Sequence, residues 1–187
     1  MLFVFSAPSG TGKTSIYKEI LKNNPEIDFS VSATTRKKRE SEVDGKDYFF
    51  LEKDDFIRRV ENGEFVEYEK IFDDNFYGTL KSYIDGKIKI GKDVLFDLDV
   101  KGALSIKRIY KDNALLIFIK PPNKEVLKER LLKRGTESKE IIENRLSRFD
   151  FEMEKMDEFN YVVINDDLKK AIKEVQEIVN KYKSGVK

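Results

Sequence analysis

Ala7-Pro8-Ser9-Gly10-Thr11-Gly12-Lys13-Thr14 follows the apolar run Leu2-Phe3-Val4-Phe5 and leads into Ser15-Ile16-Tyr17-Lys18-Glu19-Ile20-Leu21. Strand, glycine-bearing turn and helix start, in that order, are the setting of a phosphate-binding P-loop, in which backbone N–H groups and a helix N-terminus converge on an anion. Gly10 and Gly12 allow the tight curl. Lys13 is expected to meet the β- and γ-phosphates as a point charge, and the Thr14 hydroxyl to ligate Mg²⁺. Every position but the first fits the usual pattern, and Ala7 stands where glycine is common. A plain strand-to-helix turn would need no Gly-Lys-Thr at the helix start.

Working outward, the length of 187 residues admits one compact α/β core with inserted lobes, or at most two small domains. With 40% hydrophobic and 38% charged residues, the chain reads as a globular protein with a heavily charged surface. Its 36 basic and 35 acidic residues leave a net charge of +1, which argues against nucleic acid or an anionic membrane as partner. Any basic site must be local. Cysteine and histidine are both absent, so thiol nucleophiles, Ser-His-Asp triads and Cys or His metal sites are excluded. Phosphoryl transfer suits the Arg, Lys, carboxylates and backbone dipoles that are left, because it rests on positioning and charge neutralisation. The short apolar run before Ser6 reads as a buried strand and not as a signal peptide. No stretch approaches the ~20 apolar residues of a membrane span, and a cytosolic location is expected.

Periodicity predicts the rest of the core. Residues 29–33 alternate with period two and predict a second strand. Residues 94–99, 114–119 and 161–165 read as further buried parallel strands, and Leu168, Ala171, Ile172, Val175, Ile178 and Val179 form one face of a terminal helix. Five strands alternating with helices imply a doubly wound parallel sheet with ligands at the C-terminal strand ends. Between Thr34 and Leu80 the texture changes to clustered charge and aromatics, with a helix near residues 54–62 stopped by Gly63, as for a small inserted lobe. Residues 81–90 predict a helix ending near Gly91.

Four further features point to a second nucleotide. Arg36 and Arg39 lie in the basic run after Ser32 and can clamp a monophosphate, with phenols such as Tyr48 completing the shell; a solvated basic loop is the alternative. Glu67 can accept from the ring N–H and exocyclic amine of guanine, a donor pair adenine lacks, so a buried mismatch would be rejected by as much as ~10⁴-fold. By spacing alone it reads more readily as a surface strand residue, and spacing would not select it. Asp97 and Asp99, one residue apart on a predicted strand, should share a face near the metal site, while a capping role for Asp99 stays open. Arg130 and Arg134 share one helix face, and Arg145 and Arg148 the next, so that together they can close over a transferring phosphate. Salt bridges with Glu137, Glu140 and Glu143 are the alternative.

These stretches, with Gly45-Lys46-Asp47-Tyr48-Phe49-Phe50, Phe76-Tyr77-Gly78-Thr79, Asp97-Leu98-Asp99-Val100 and Arg134-Gly135-Thr136-Glu137, resemble the guanylate kinases over nearly the whole chain. The resemblance implies a P-loop nucleoside monophosphate kinase fold, with a five-stranded parallel sheet flanked by helices. It divides the chain into a core (1–32, 81–124 and 150–187), a GMP-binding lobe (33–80) and a lid (125–149). The implied reaction is transfer of the γ-phosphoryl group of ATP to GMP, with dGMP as a second acceptor and Mg²⁺ as cofactor. ATP would be held by Ala7, Pro8, Ser9, Gly10, Thr11, Gly12, Lys13, Thr14 and Asn165. Ser32, Glu67, Thr79 and Asp99 would read guanine, and Arg36, Arg39, Tyr48 and Tyr77 would hold its phosphate. Catalysis would fall to Lys13, Arg36, Arg130, Arg134 and Arg145, and the metal to Thr14 and, through water, Asp97. A monomer or homodimer without nucleic-acid or membrane partners is implied. Two positions depart from the family pattern: Ser41, where glycine is frequent, and Lys101, where glutamine is common. A phosphopeptide-binding relative that has lost catalysis is disfavoured by the retained Lys13 and arginines, and a GTPase by the lack of an Asn-Lys-x-Asp motif.

Overall fold

The computed structural model describes residues 1–70, 74–134 and 139–183, without the side chains of residues 134, 139–141 and 144. Its centre is β1 (Leu2–Ser6), buried at every position. Alternation splits this strand between two cores. Phe3 and Phe5 point to one side, among Ile16 and Ile20 of α1 (Lys13–Asn23) and Ala171, Val175 and Val179 of α7 (Leu168–Tyr182). Leu2 and Val4 point to the other, among Ile84 of α3 (Lys81–Lys89) and Val100, Ala103 and Ile106 of α4 (Val100–Tyr110). A strand covered by helices on both faces must be apolar throughout, which is why Leu2-Phe3-Val4-Phe5 shows no polar alternation.

The five-stranded sheet runs β2-β7-β1-β8-β9 with every pair parallel. Its other members are β2 (Asp28–Phe29), β7 (Val94–Asp97), β8 (Ala114–Lys120) and β9 (Tyr161–Ile164). The register sets Phe5 beside Asp97. Both flanking strands therefore deliver their C-terminal ends next to the loop that follows β1.

The single strand predicted over residues 29–33 is corrected to two short strands in different sheets. After β2 the Ser30 N–H still donates to Leu95 O at 2.9 Å, but the Ser32 carbonyl accepts from Phe49 N–H at 2.9 Å. The chain changes partners across three residues. Period-two spacing is preserved through such a change, so the sequence pattern has no mark of it.

Residues 33–80 build a second sheet in the order β4-β3-β6-β5, from β3 (Ala33–Thr34), β4 (Phe49–Phe50), β5 (Phe65–Lys70) and β6 (Phe76–Leu80). Its small core gathers Ala33, Phe65, Leu80 and Phe56 of α2 (Lys53–Glu61), the Phe56 and Phe65 rings stacking at 4.3 Å. Gly78 is required here, since a Cβ would sit 2.7 Å from the Glu67 carbonyl oxygen. A second small core joins Leu127 and Leu131 of α5 (Lys124–Arg134) to Ile142 and Phe149 of α6 (Lys139–Glu154). Gly135, Thr136 and Glu137, and the tail beyond Lys183, lie outside the described residues.

With so few partners, the second sheet depends heavily on Phe56. Phe56→Ala is expected to cost about 3–5 kcal/mol, read by urea unfolding. A loss below about 1 kcal/mol would show that the site can collapse around the gap.

Candidate active site

The loop after β1 is closed by Thr11, whose N–H and hydroxyl both donate to Pro8 O, at 3.2 and 2.6 Å. Gly10 and Gly12 both have φ +94°, the left-handed region that glycine enters without cost. They are also points of close approach. A Cβ on Gly10 would meet Leu131 Cδ2 at 2.7 Å, and one on Gly12 would meet Asn165 Nδ2 at 2.6 Å. Asn165 is buried, and its amide donates to Thr11 O at 2.6 Å. Its side chain thus braces the loop from the end of β9. Arg130 on α5 donates to Asn165 O at 2.9 Å and, more weakly, to Asp166 O at 3.4 Å. Gly10, Gly12, Ser15, Arg130, Asn165 and Asp166 line a cleft of about 390 Å³.

Lys13, the first residue of α1, forms an ion pair with Asp97 and donates to Leu98 O at 2.9 Å. Two acceptors at the end of β7 hold the ammonium. The Tyr17 hydroxyl interacts with both Thr14 and Asp97, and burial first, then the Asp97 charge, raises the phenol's pKa. Thr14 and Asp97 are therefore near enough to share one polar neighbour. Tyr17 was not singled out from sequence. Its position one helical turn after Lys13 was the available signal.

A second cavity of about 220 Å³ lies between the end of β7 and the second sheet, and Tyr17, Ser30, Ser32, Tyr48, Asp97 and Leu98 are among its walls. The Ser30 hydroxyl is buried with no hydrogen-bond partner among the described residues. Beside it, Arg36 grips Glu42 with both guanidinium arms, Nη2–Oε1 at 2.6 Å and Nη1–Oε2 at 3.1 Å. The Arg39 N–H adds a bond to Glu42 Oε2 at 2.8 Å. Arg36 lies over the Tyr48 ring at 5.4 Å, and the Tyr48 and Tyr77 rings meet edge-on at 6.0 Å. The Arg36 fork and the Arg39 N–H hold the Glu42 carboxyl below the usual carboxylate range. These groups bind a carboxylate as they would bind a phosphate. The Arg39 side chain itself is exposed. Glu42 is a site residue that the sequence reading missed, its only mark being a carboxylate within a basic run.

Glu67 and Thr79 face each other across β5 and β6, and the Thr79 hydroxyl donates to Glu67 Oε1 at 2.6 Å. Burial raises the Glu67 pKa against that bond, and the nearby Asp99 charge raises it further. The expectation that Asp97 and Asp99 share a strand face is corrected: β7 stops at Asp97, and Asp99 is the N-cap of α4. Asp99 Oδ1 accepts from Gly102 N–H at 2.8 Å. As the N-cap, Asp99 has its side chain turned onto the first turn of α4, so strand pairing no longer sets its face. Lys101 lies in the following turn, its ammonium 5.8 Å from the Phe151 ring centroid.

The arginines on α5 and α6 separate by target. Arg145 donates to the Ser9 hydroxyl of the loop, whereas Arg148 pairs with Asp99 at 3.6 Å. The side chains of Arg134 and Glu140 are outside the described set. Glu152, one turn past Arg148, is only 8% exposed. Burial pushes its carboxyl up to about 7, with Asp99 adding to the rise and Arg148 and Lys13 opposing it. Among the described residues no three acidic side chains cluster as a metal cage.

A carboxyl whose pKa is raised on folding binds extra protons in the native state, so its contribution to stability declines as pH rises from about 4 through 7. Glu152→Gln does not titrate. It should melt closest to the parent near pH 4 and increasingly above it toward pH 8, by differential scanning fluorimetry; a constant offset at all pH values would contradict the burial argument.

A family profile described as "Guanylate kinase" matches residues 1–182. The guanylate kinase of Thermotoga maritima is 48% identical over 185 residues, covering 99% of this chain and 88% of that one. That of Salinibacter ruber is 45% identical over 183 residues, covering 98% and 97%. Among solved structures, the crystal structure of guanylate kinase from Anaplasma phagocytophilum superposes with a TM-score of 0.72 at 29% identity, over 98% of this chain and 86% of that chain.

Proposed function

We propose residue roles from the premise that the chain belongs to the guanylate kinase family. It transfers the γ-phosphoryl group of ATP to GMP, giving ADP and GDP. The observation that carries the assignment of roles is the position of Lys13. Its ammonium is bonded to Asp97 and Leu98, both of which line the cavity beside the second sheet, while the loop it leaves lines the larger cleft. The donor phosphates bind the loop from Ala7 to Thr14, with the base beside Arg130, Asn165 and Asp166. The acceptor phosphate takes the place of the Glu42 carboxylate on Arg36, with Arg39, Tyr48 and Tyr77 around it. Guanine meets Glu67, Thr79, Asp99 and Ser32. dGMP fits the same contacts, because none of the named readers is assigned to the 2′-hydroxyl.

Lys13 lies between the clefts and neutralises charge as it passes from donor to acceptor. The attacking group is already an oxyanion, so no general base is needed, in keeping with a chain without histidine. Thr14 and Asp97 supply hard oxygen ligands with a shared neighbour in Tyr17, a set that suits Mg²⁺, which keeps several waters and takes its other ligands from phosphates. When bound, Mg²⁺ neutralises the β- and γ-oxygens. Arg130, Arg134 and Arg145 belong to α5 and α6, and we assign them to the transferred group, within a lid over residues 125–149. Closure of that lid and of the lobe 33–80 would exclude water. The same proposal makes the enzyme a monomer or homodimer in the cytosol. No helix among the described residues is long and apolar enough to cross a membrane.

An ADP-release assay with ATP and Mg²⁺ tests these roles, comparing GMP with AMP, CMP and UMP. Lys13→Met should lower kcat by about 10²–10³-fold. Glu67→Ala should weaken GMP by about 10–100-fold and narrow the gap to AMP. An unchanged acceptor preference in Glu67→Ala would overturn the guanine assignment, and near-parent kcat in Lys13→Met would overturn the role of the ammonium.

A further inference from the structure

Arg148 is the arginine of α6 that the roles above leave unused, and its contact is the unexpected one. Arg145 and Arg148 lie three residues apart, so both project from the same side of the helix. Arg145 reaches Ser9 in the donor loop. Arg148 reaches the other cleft, with Nη2 3.6 Å from Asp99 Oδ2. Asp99 Oδ1 is committed to the Gly102 N–H, so Oδ2 is the oxygen on which Arg148 bears. A second link runs parallel to this pair, since Lys101 in the first turn of α4 stacks over Phe151 of α6. Glu152 is buried one turn on, within electrostatic reach of Arg148, Asp99 and Lys13. One helix is thus seated at once on the donor loop and on the turn that presents an acceptor-reading carboxylate.

We infer that Arg148 is a positioning residue that couples occupancy of the donor cleft to recognition of guanine, by holding the Asp99 carboxylate in place when α6 is seated on the loop. The inference rests on the reading of Asp99 as a guanine contact. A donor nucleotide in the cleft beside Ser9 and Arg145 holds α6 on the loop; α6 fixes Arg148; Arg148 fixes the rotamer of Asp99. Coupling of this kind is reciprocal, so GMP tightens the donor by the same factor as the donor tightens GMP. Arg148 is 58% exposed and Asp99 31%, so solvent screens the pair. The coupling it carries is therefore small, about two- to five-fold in affinity.

Calorimetric Kd values for GMP, with and without a non-hydrolysable ATP analogue and Mg²⁺, test this. The parent should bind GMP about two- to five-fold tighter when the analogue is present. Arg148→Ala should bring that ratio to about one while leaving the Kd for GMP alone within about two-fold, and Arg148→Lys should keep at least half of the effect, because a pair at this distance needs charge more than a fork. Three results would overturn the inference: a parent ratio of one, a parent-like ratio in Arg148→Ala, or a lysine variant as defective as alanine. Equal weakening of GMP with and without the analogue in Arg148→Ala would also overturn it, by making Arg148 a direct contact. Asp99→Ala tests the underlying reading separately: an unchanged Kd for GMP alone would remove Asp99 from the guanine site whatever Arg148 does. Thermal melts of each variant confirm the fold.

Discussion

The ammonium of Lys13, held by Asp97 and the Leu98 carbonyl at the end of a parallel strand, is the interaction on which the site depends. It exists because β1 and β7 are neighbours in parallel register, with Phe5 beside Asp97, so that the loop after one strand meets the last residues of the other. A cation with two acceptors is satisfied without a ligand, yet both acceptors are ones that phosphate can replace or share. The chain can therefore hold this charge in place without a ligand, which the proposed role of Lys13 requires.

Around that point the other charges are arranged by the same logic. Arg36 holds the Glu42 carboxylate with the fork and neighbouring N–H that a phosphate would use. Held in this way, the guanidinium keeps its rotamer over the Tyr48 ring, so that under the proposed role an incoming phosphate would exchange one anion for another without having to order a free side chain. On the donor side, Asn165 uses its amide to brace the loop at Thr11. The glycines at 10 and 12 are thereby determined twice, once by left-handed backbone and once by the lack of room for a Cβ against Leu131 and Asn165.

The hydrophobic groups are divided to match. The central sheet has a core on each face, whereas the second sheet and the α5–α6 pair each rest on a few buried side chains of their own. Small separate cores would let these two regions shift without unpacking the sheet, as the proposed closure over two substrates requires. Arg148 and Lys101 lie on the seam between the α5–α6 pair and α4, where a modest ion pair and a cation–π contact can be made and broken at little cost.

What the sequence determined by itself was whatever depends on neighbours along the chain. Unbroken apolar runs at residues 2–5, 94–97 and 114–119 require strands covered on both faces, and Gly-x-Gly-Lys-Thr after such a strand requires an anion-binding turn, because both follow from local backbone geometry and burial. Glu67 and Thr79 came into view only through the resemblance of the ordered motifs to the guanylate kinases, not through spacing. The tertiary structure decided the rest. Whether residues 29–33 make one strand or two depends on partners at Leu95 and Phe49, and whether Asp99 shares the face of Asp97 depends on where α4 begins. Glu42, Tyr17, Glu152 and Arg148 draw their roles from groups on other elements or across a loop. Spacing reports which residues share a face, but only the packed chain reports what that face meets.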